Sequence, residues 1–251
     1  MAGNEPTPLV LLHGVGLDRT VWDGFRTEFG RLSDREVLAL DLPGHGERPP
    51  WRGTADLAVY ADDVADRLPP RAHLVGFSLG ALIGQALAVR HGGRVASLVN
   101  VSSVCRRTEA ERAAVLARLE QAVADFDAAA EASIDRWYPA GTSVDADTVE
   151  RTRTVLLGND VESFLAAYGV FAWGDAEIGP DLGRIRQPTL NVTGASDPGS
   201  TPEMTHRLTE RIAGSRAVVV PGARHMLPVE APRELAETIH HFIEESSTEH
   251  D

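Results

Sequence analysis

The chain has 251 residues, 43% of them hydrophobic, and a formal net charge of -13, so it can bury a large core as one domain with or without an insertion, and nucleic acid is disfavoured as a partner. All 24 basic residues are arginine, which excludes Schiff-base chemistry, PLP attachment and a Walker-type phosphate lysine. The single cysteine, Cys105, excludes an intrachain disulfide and a cysteine-based zinc site.

The opening MAGNEPTP has neither a basic region nor an apolar h-region, and no apolar run approaches membrane-spanning length, so the expectation is a cytoplasmic protein without a membrane partner. Leu9 to Leu12 is an apolar run too short for a helix; it reads as a buried strand running into the glycine loop His13-Gly14-Val15-Gly16. A helix is expected from Thr20 to Leu32, a strand from Glu36 to Leu40, a loop at Asp41-Leu42-Pro43-Gly44-His45-Gly46, and a helix from about Thr54 to Leu68. Ala72 to Phe77 and Val95 to Val101 read as strands around a helix from Leu79 to His91. Strands alternating with helices predict a parallel sheet covered on both faces.

The rhythm changes after Cys105. Thr108 to Trp137 is Ala- and Glu-rich with helical periodicity, and further helical pieces follow near Asp147 to Leu157 and Asp160 to Trp173. Residues 106–178 are therefore expected to form a helical insertion, a candidate cap, on a core of residues 1–105 and 179–251. The alternation resumes with the strand Thr189 to Thr193, a helix from Pro202 to Ala213, the strand Ala217 to Val220 and a helix from Pro232 to Glu245, with frayed residues after Ser246. About six strands result.

Between the third strand and its helix lies Gly76-Phe77-Ser78-Leu79-Gly80, the frame G-x-S-x-G. A serine there sits on a sharp strand-to-helix turn in a strained conformation, and a side chain at either glycine would collide with the packed strand or helix. Serine is a poor nucleophile at neutral pH unless a base lies within reach and a third group orients that base. Asp197, in the loop after the fifth strand, and His225, after the last, can supply both, because the C-terminal ends of parallel strands open on one rim. The chain order Ser78, Asp197, His225 is that of a nucleophile-elbow hydrolase.

A tetrahedral intermediate also needs donors for its oxyanion. The Leu79 N–H is one candidate, and the Val15 N–H, freed to approach by its flanking glycines, is the other. His13 reads as a loop anchor, Asp41 and His45 as stabilisers of their shared turn, and His206, His240 and His241 as helix surface. No spacing suggests a metal site, and no cofactor is expected.

With these residues placed, the chain resembles the α/β-hydrolase superfamily along nearly its whole length, through HGVG, DLPGHG, GFSLG, GASD and GARH in that order. HGVGLDRTVW, NDVESFLAAYGVFA, GSTPEM and RHMLPVEAP are most similar to the 3-oxoadipate enol-lactonase-like group of small esterases and lactonases. The resemblance implies a cofactor-free serine hydrolase acting on a small-molecule ester or lactone. C–C bond hydrolysis, thioester hydrolysis or acyl transfer, haloperoxidase or perhydrolase activity, and a ligand-binding receptor without turnover stay open on the same residues. Ser78 rules out the aspartate nucleophile of haloalkane dehalogenases, and the lack of lysine rules out cyanohydrin cleavage. Ala81 replaces a second glycine common after the elbow, and the few residues before Leu9 leave no room for the two extra strands that often open this fold. Arg136 beside Trp137, near the end of the first cap helix, suits a planar carboxylate-bearing ligand; the alternative is a solvated charge beside a packing tryptophan.

Overall fold

Every residue of Leu9–Leu12 is buried, as a four-residue apolar run with helices on both sides demands. A computed structural model of the chain describes residues 6–248. In it this run is β1, followed by β2 (Val37–Leu40), β3 (Ala72–Phe77), β4 (Val95–Val101), β5 (Thr189–Gly194) and β6 (Arg216–Val220). These six strands form one sheet in the order β2-β1-β3-β4-β5-β6, with every pairing parallel. Among the described residues the helices are α1 (Asp23–Phe29), α2 (Leu57–Arg67), α3 (Leu79–Arg90), α4 (Glu109–Ala124), α5 (Phe126–Trp137), α6 (Ala146–Leu157), α7 (Val161–Ile178), α8 (Pro202–Arg211), α9 (Leu227–Glu230) and α10 (Pro232–Thr248).

The period-2 pleat divides the core between the faces of the sheet. Leu9 and Leu11 join Val75, Phe77, Val99 and Val101 against Phe25 and Phe29 of α1 and Leu235, Ile239 and Ile243 of α10. Val10 and Leu12 turn the other way with Leu74 and Leu98, against Leu57 and Val64 of α2, Leu82 and Ile83 of α3, and Leu208 of α8. Each such side chain contributes roughly 1.5 to 3 kcal/mol relative to exposure. A polar ladder ties α3 to the sheet beneath it. Gln85 Nε2 donates to Asn100 Oδ1 at 3.1 Å, and Asn100 Nδ2 donates to Asn191 Oδ1 at 2.9 Å, all three residues being buried.

β1 has β2 on one side and β3 on the other, so the chain reverses its winding direction there. The loops leaving β1 and β3 diverge at that point and open a crevice at the C-terminal ends of the strands.

Several boundaries differ from the expectation by one to three residues, among them the start of α2 at Leu57 and the end of α8 at Arg211, and four differences change the elements themselves or their reach. The helix from Thr20 divides into a 3-10 turn, Arg19–Trp22, and α1, because the Asp18 carboxylate accepts the Thr20 N–H and starts a tight turn. The segment Thr108 to Trp137 breaks at Asp125, whose carboxylate caps a new helix through the Ala128 N–H. Helix α7 continues to Ile178, carrying the buried Asp175 to a salt bridge with Arg107. Helix α10 persists through Thr248; the rest of the expected frayed end, residues 249–251, lies outside the described residues. His240 is not purely surface either: it meets Phe29 edge-on, ring centroids 6.1 Å apart, because it borders the apolar stripe that α10 lays on α1.

Helices α4 to α7 all lie between β4 and β5 in the chain. Val170 of α7 joins the core shared with α2 and α3, while Ile134 of α5 and Phe164 of α7 join the opposite one. A buried ionic knot holds the start of this segment: Arg107 and Arg112 both reach Asp175 Oδ1, at 2.6 and 2.7 Å. No single helix among the described residues is long and apolar enough to cross a membrane.

Candidate active site

Ser78 sits between β3 and α3 with φ 55° and ψ -111°, a left-handed conformation that costs a non-glycine residue of order 1 to 3 kcal/mol. Its neighbours enforce the bend. A Cβ on Gly76 would lie 2.2 Å from the Gly80 carbonyl oxygen, and one on Gly80 would lie 2.4 Å from the Leu12 carbonyl oxygen. The Ser78 N–H donates to Val101 O at 2.9 Å, which ties the turn to β4.

Asp197 and His225 meet across the loops after β5 and β6. His225 Nδ1 lies 2.7 Å from Asp197 Oδ2, while Asp197 Oδ1 accepts the Gly199 and Ser200 N–H groups, both at 2.9 Å. An ionised carboxylate only accepts, so the proton is on Nδ1 and Nε2 is left with its lone pair. The imidazole lies between Trp137, stacked at 6.3 Å and 20°, and Phe77 at 5.2 Å. Behind it, Ser102 Oγ donates to the His225 carbonyl at 3.2 Å. Ser78, Asp197 and His225 line one cavity of about 690 Å³, its open mouth included. No Ser78–His225 hydrogen bond is formed; without a bound substrate such bonds are often long and tighten on binding.

Val15 and Gly14 line the same cavity. Leu79 is the first residue of α3, so its N–H has no intrahelical acceptor. Two buried histidines shape the loop that carries Val15. His13 Nδ1–H donates to Gly14 O at 2.7 Å, the other end of the peptide whose N–H is that of Val15, and His13 Nε2 accepts the Leu42 N–H at 2.9 Å. His45 Nε2 accepts the Gly16 N–H at 3.2 Å. Both rings must be neutral to make these bonds. Burial drives the His13 pKa down to about 3, with help from neighbouring His45, and lowers that of His45 as well. Both therefore act as fixed tautomers in the loop.

Arg136 and Trp137 line the cavity too. The Arg136 guanidinium donates to Ser133 Oγ at 2.9 Å and Ala132 O at 3.3 Å, and burial lowers its pKa. Sequence reasoning missed Arg118, a second arginine of this wall, contributed by α4. Nothing in an Ala- and Glu-rich helix sets it apart from its solvated neighbours. Among the described residues neither Arg118 nor Arg136 has a carboxylate partner, in a chain with 37 acidic residues. Cys105 offers no competing nucleophile, since burial pushes its thiol up to about 11. His206 is exposed and His241 pairs with Glu245. Among the described residues no group of three or more His, Cys, Asp or Glu side chains could hold a metal ion.

A family model described as "Alpha/beta hydrolase family" matches residues 9–238. The chain belongs to the alpha/beta hydrolase family. Other members resemble it over almost their whole length. It is 30% identical over 245 residues to (E)-2-((N-methylformamido)methylene)succinate hydrolase of Acinetobacter baylyi, covering 96% of this chain and 91% of that protein. Pimeloyl-[acyl-carrier protein] methyl ester esterase of Aeromonas hydrophila is 31% identical over 247 residues, covering 94% of each. Among solved structures, the enol-lactonase of Burkholderia xenovorans superposes with a TM-score of 0.80 at 27% identity, covering 95% of this chain and 92% of that one. All three relatives are hydrolytic enzymes by name.

Proposed function

We propose that this alpha/beta hydrolase is a cofactor-free serine esterase or lactonase acting on a small carboxylic ester or lactone, similar to the 3-oxoadipate enol-lactonases. The observation that carries the reading is the His225–Asp197 pair, 2.7 Å apart, sharing a cavity with the strained Ser78. Ser78 Oγ attacks the acyl carbonyl while His225 Nε2 takes its proton, and the oxygen that gains charge faces the Val15 and Leu79 N–H groups. The carbon–oxygen bond to the leaving group then breaks, and His225 returns the proton to that oxygen. Water, deprotonated by the same nitrogen, attacks the acyl-enzyme and releases the acid and Ser78. Asp197 holds the tautomer and stabilises the imidazolium in both halves.

Residues 106–178 act in this reading as the cap over the nucleophile. Arg136, with Arg118, and the face of Trp137 receive the acyl or leaving part of the substrate, and the unpaired guanidiniums favour one that bears a carboxylate. The name of the Acinetobacter relative, whose substrate is a substituted succinate, supports that preference. A cytoplasmic location and a small-molecule rather than nucleic-acid or membrane partner belong to the same reading.

The test is hydrolysis of short p-nitrophenyl esters and of lactones, with and without a carboxylate, by the wild type and by Ser78→Ala and His225→Ala. Each substitution removes nearly all turnover, and the double variant is little worse than either, because nucleophile and base work as one unit. Binding of a carboxylate ligand without Ser78-dependent turnover would instead favour a receptor.

A further inference from the structure

The loop that carries Val15 is gripped from two sides. On the core side, the Gly16 N–H donates to His45. On the other side, Asn159, in the turn between α6 and α7, donates its Nδ2–H to the Gly16 carbonyl at 2.8 Å. The same nitrogen lies 2.9 Å from the Val155 and Leu156 carbonyl oxygens at the end of α6. One amide group therefore closes a helix terminus and holds a loop of the core. The contact is close: Gly16 has φ +71°, and a Cβ there would lie 2.5 Å from Leu156 Cδ1 and 2.7 Å from the Phe164 ring. Only glycine lets the α6–α7 corner settle onto this peptide.

We propose that Asn159 is a positioning residue for the oxyanion hole, tying the seating of the α4–α7 segment to the direction of the Val15 N–H. The proposal rests on the reading of Val15 as an oxyanion donor. Such a donor is effective because it is aimed before the charge develops. Three successive peptides fix that aim: His13 holds the one that carries the Val15 N–H through Gly14 O, His45 holds the next through the Gly16 N–H, and Asn159 holds the one after it through Gly16 O. The first two anchors come from the core, and the third moves with the helical segment. A displacement of the α6–α7 corner thus pulls on the loop through Gly16.

The experiment compares Asn159→Ala and Asn159→Leu, the second retaining bulk in the corner while removing the donor, with Asp145→Ala. Asp145 caps the opposite end of α6 through the Thr148 N–H at 2.9 Å and does not touch the loop. On a neutral p-nitrophenyl ester, both Asn159 variants lower kcat by about 10- to 100-fold, less than loss of a whole oxyanion donor, with KM within about twofold. They weaken inhibition by a trifluoromethyl ketone by the same factor and leave binding of the product acid unchanged. Asp145→Ala lowers Tm while keeping kcat near that of the wild type. Wild-type kcat in both Asn159 variants, or an equal kcat loss in Asp145→Ala, overturns the proposal while the hydrolase reading stands. Absence of Ser78-dependent turnover in the wild type overturns that reading and this proposal with it.

Discussion

Glu230 brackets His225: its Oε2 accepts the Arg224 N–H and its Oε1 accepts the Met226 N–H, each at 2.8 Å. The backbone N–H groups of the two residues on either side of His225 are thereby pinned to one carboxylate, that of the last residue of the short helix α9. Burial raises the pKa of that carboxyl, and the two N–H donors and His225 oppose the shift. Glu230→Gln keeps the size but turns one oxygen into an NH2 group that faces a backbone N–H. That loss costs about 1 to 3 kcal/mol at the loop. The expected result is a kcat lowered by about 10- to 100-fold with KM nearly unchanged, since small misplacement of a reacting group has effects of that size. Steady-state kinetics beside a thermal melt checks it; equal losses in kcat and KM would contradict a role in aiming His225.

What could be read from the chain was the part with local causes. β3 and β4 begin and end as expected, at Ala72–Phe77 and Val95–Val101, because a strand buried on both faces shows as a mostly apolar run, broken here by the polar side chains of His73 in β3 and of Ser97 and Asn100 in β4. The order of glycine loop, elbow, acid loop and histidine loop placed candidate residues at strand ends that the parallel topology gathers on one rim. Arg118, Asn159 and Glu230 were not legible. Each looks like an ordinary helix-surface or turn residue, and its partner, a cavity wall or a backbone group of another element, exists only after tertiary packing. The break at Asp125 had a local cause, a capping aspartate, hidden by the alanine-rich helix formers around it.

Asp175 is expected to matter for stability rather than chemistry. It is nearly fully buried, accepts the Arg107 backbone N–H at 2.8 Å and faces two guanidiniums. Arg107 is buried as well, lies over the Phe171 ring at 4.6 Å, and has its pKa lowered by burial to about 10. Asp175→Ala strands these charges, and breaking a buried pair by removing one partner typically costs about 3 to 5 kcal/mol. Urea unfolding should show a loss of that order, whereas Asp181→Ala, in an exposed i,i+3 pair with Arg184, should change stability by less than about 1 kcal/mol. Equal small effects would mean that water reaches the knot.

Three buried histidines set the response to acid. Burial lowers the pKa of His13 to about 3, that of His73 to about 4, and that of His45 below its usual value. An unfolded chain binds a proton on each near pH 6.5, where the folded chain does not. The unfolded state thus holds more protons as pH falls from about 6.5 toward 4, and stability falls with it, by at most about 1.4 kcal/mol per pH unit for each histidine. His73→Gln, which can keep a hydrogen bond to Ser97, should flatten the profile by one such contribution. Urea midpoints between pH 5 and 7.5 test this above the range of most carboxylates; a level profile there would show that the histidines are hydrated in the folded chain.

The charge preference of the cavity gives the last prediction. Arg136 and Arg118 line it together with Trp137, and neither is neutralised by a carboxylate among the described residues. Arginine keeps its charge when buried, and two planar forks in one cavity wall can grip a carboxylate bidentately or from two sides. Keeping two like charges together with no carboxylate in salt-bridge contact is unfavourable, the only opposing carboxylate acting on Arg136 among the described residues being the more distant Asp197, and a bound anion relieves that repulsion. Arg136→Ala should then weaken transition-state binding of a carboxylate-bearing ester by about 1.5 to 3 kcal/mol, the range of a charged hydrogen bond, while a neutral ester of equal size is spared. Arg118→Ala should act in the same direction. If both guanidiniums hold one carboxylate, the double variant loses less than the sum of the two; if they hold separate groups, the losses add. Values of kcat/KM for the paired substrates across the four proteins decide it. Equal losses on both substrates would make the arginines structural, and no loss on either would leave them on the solvated surface.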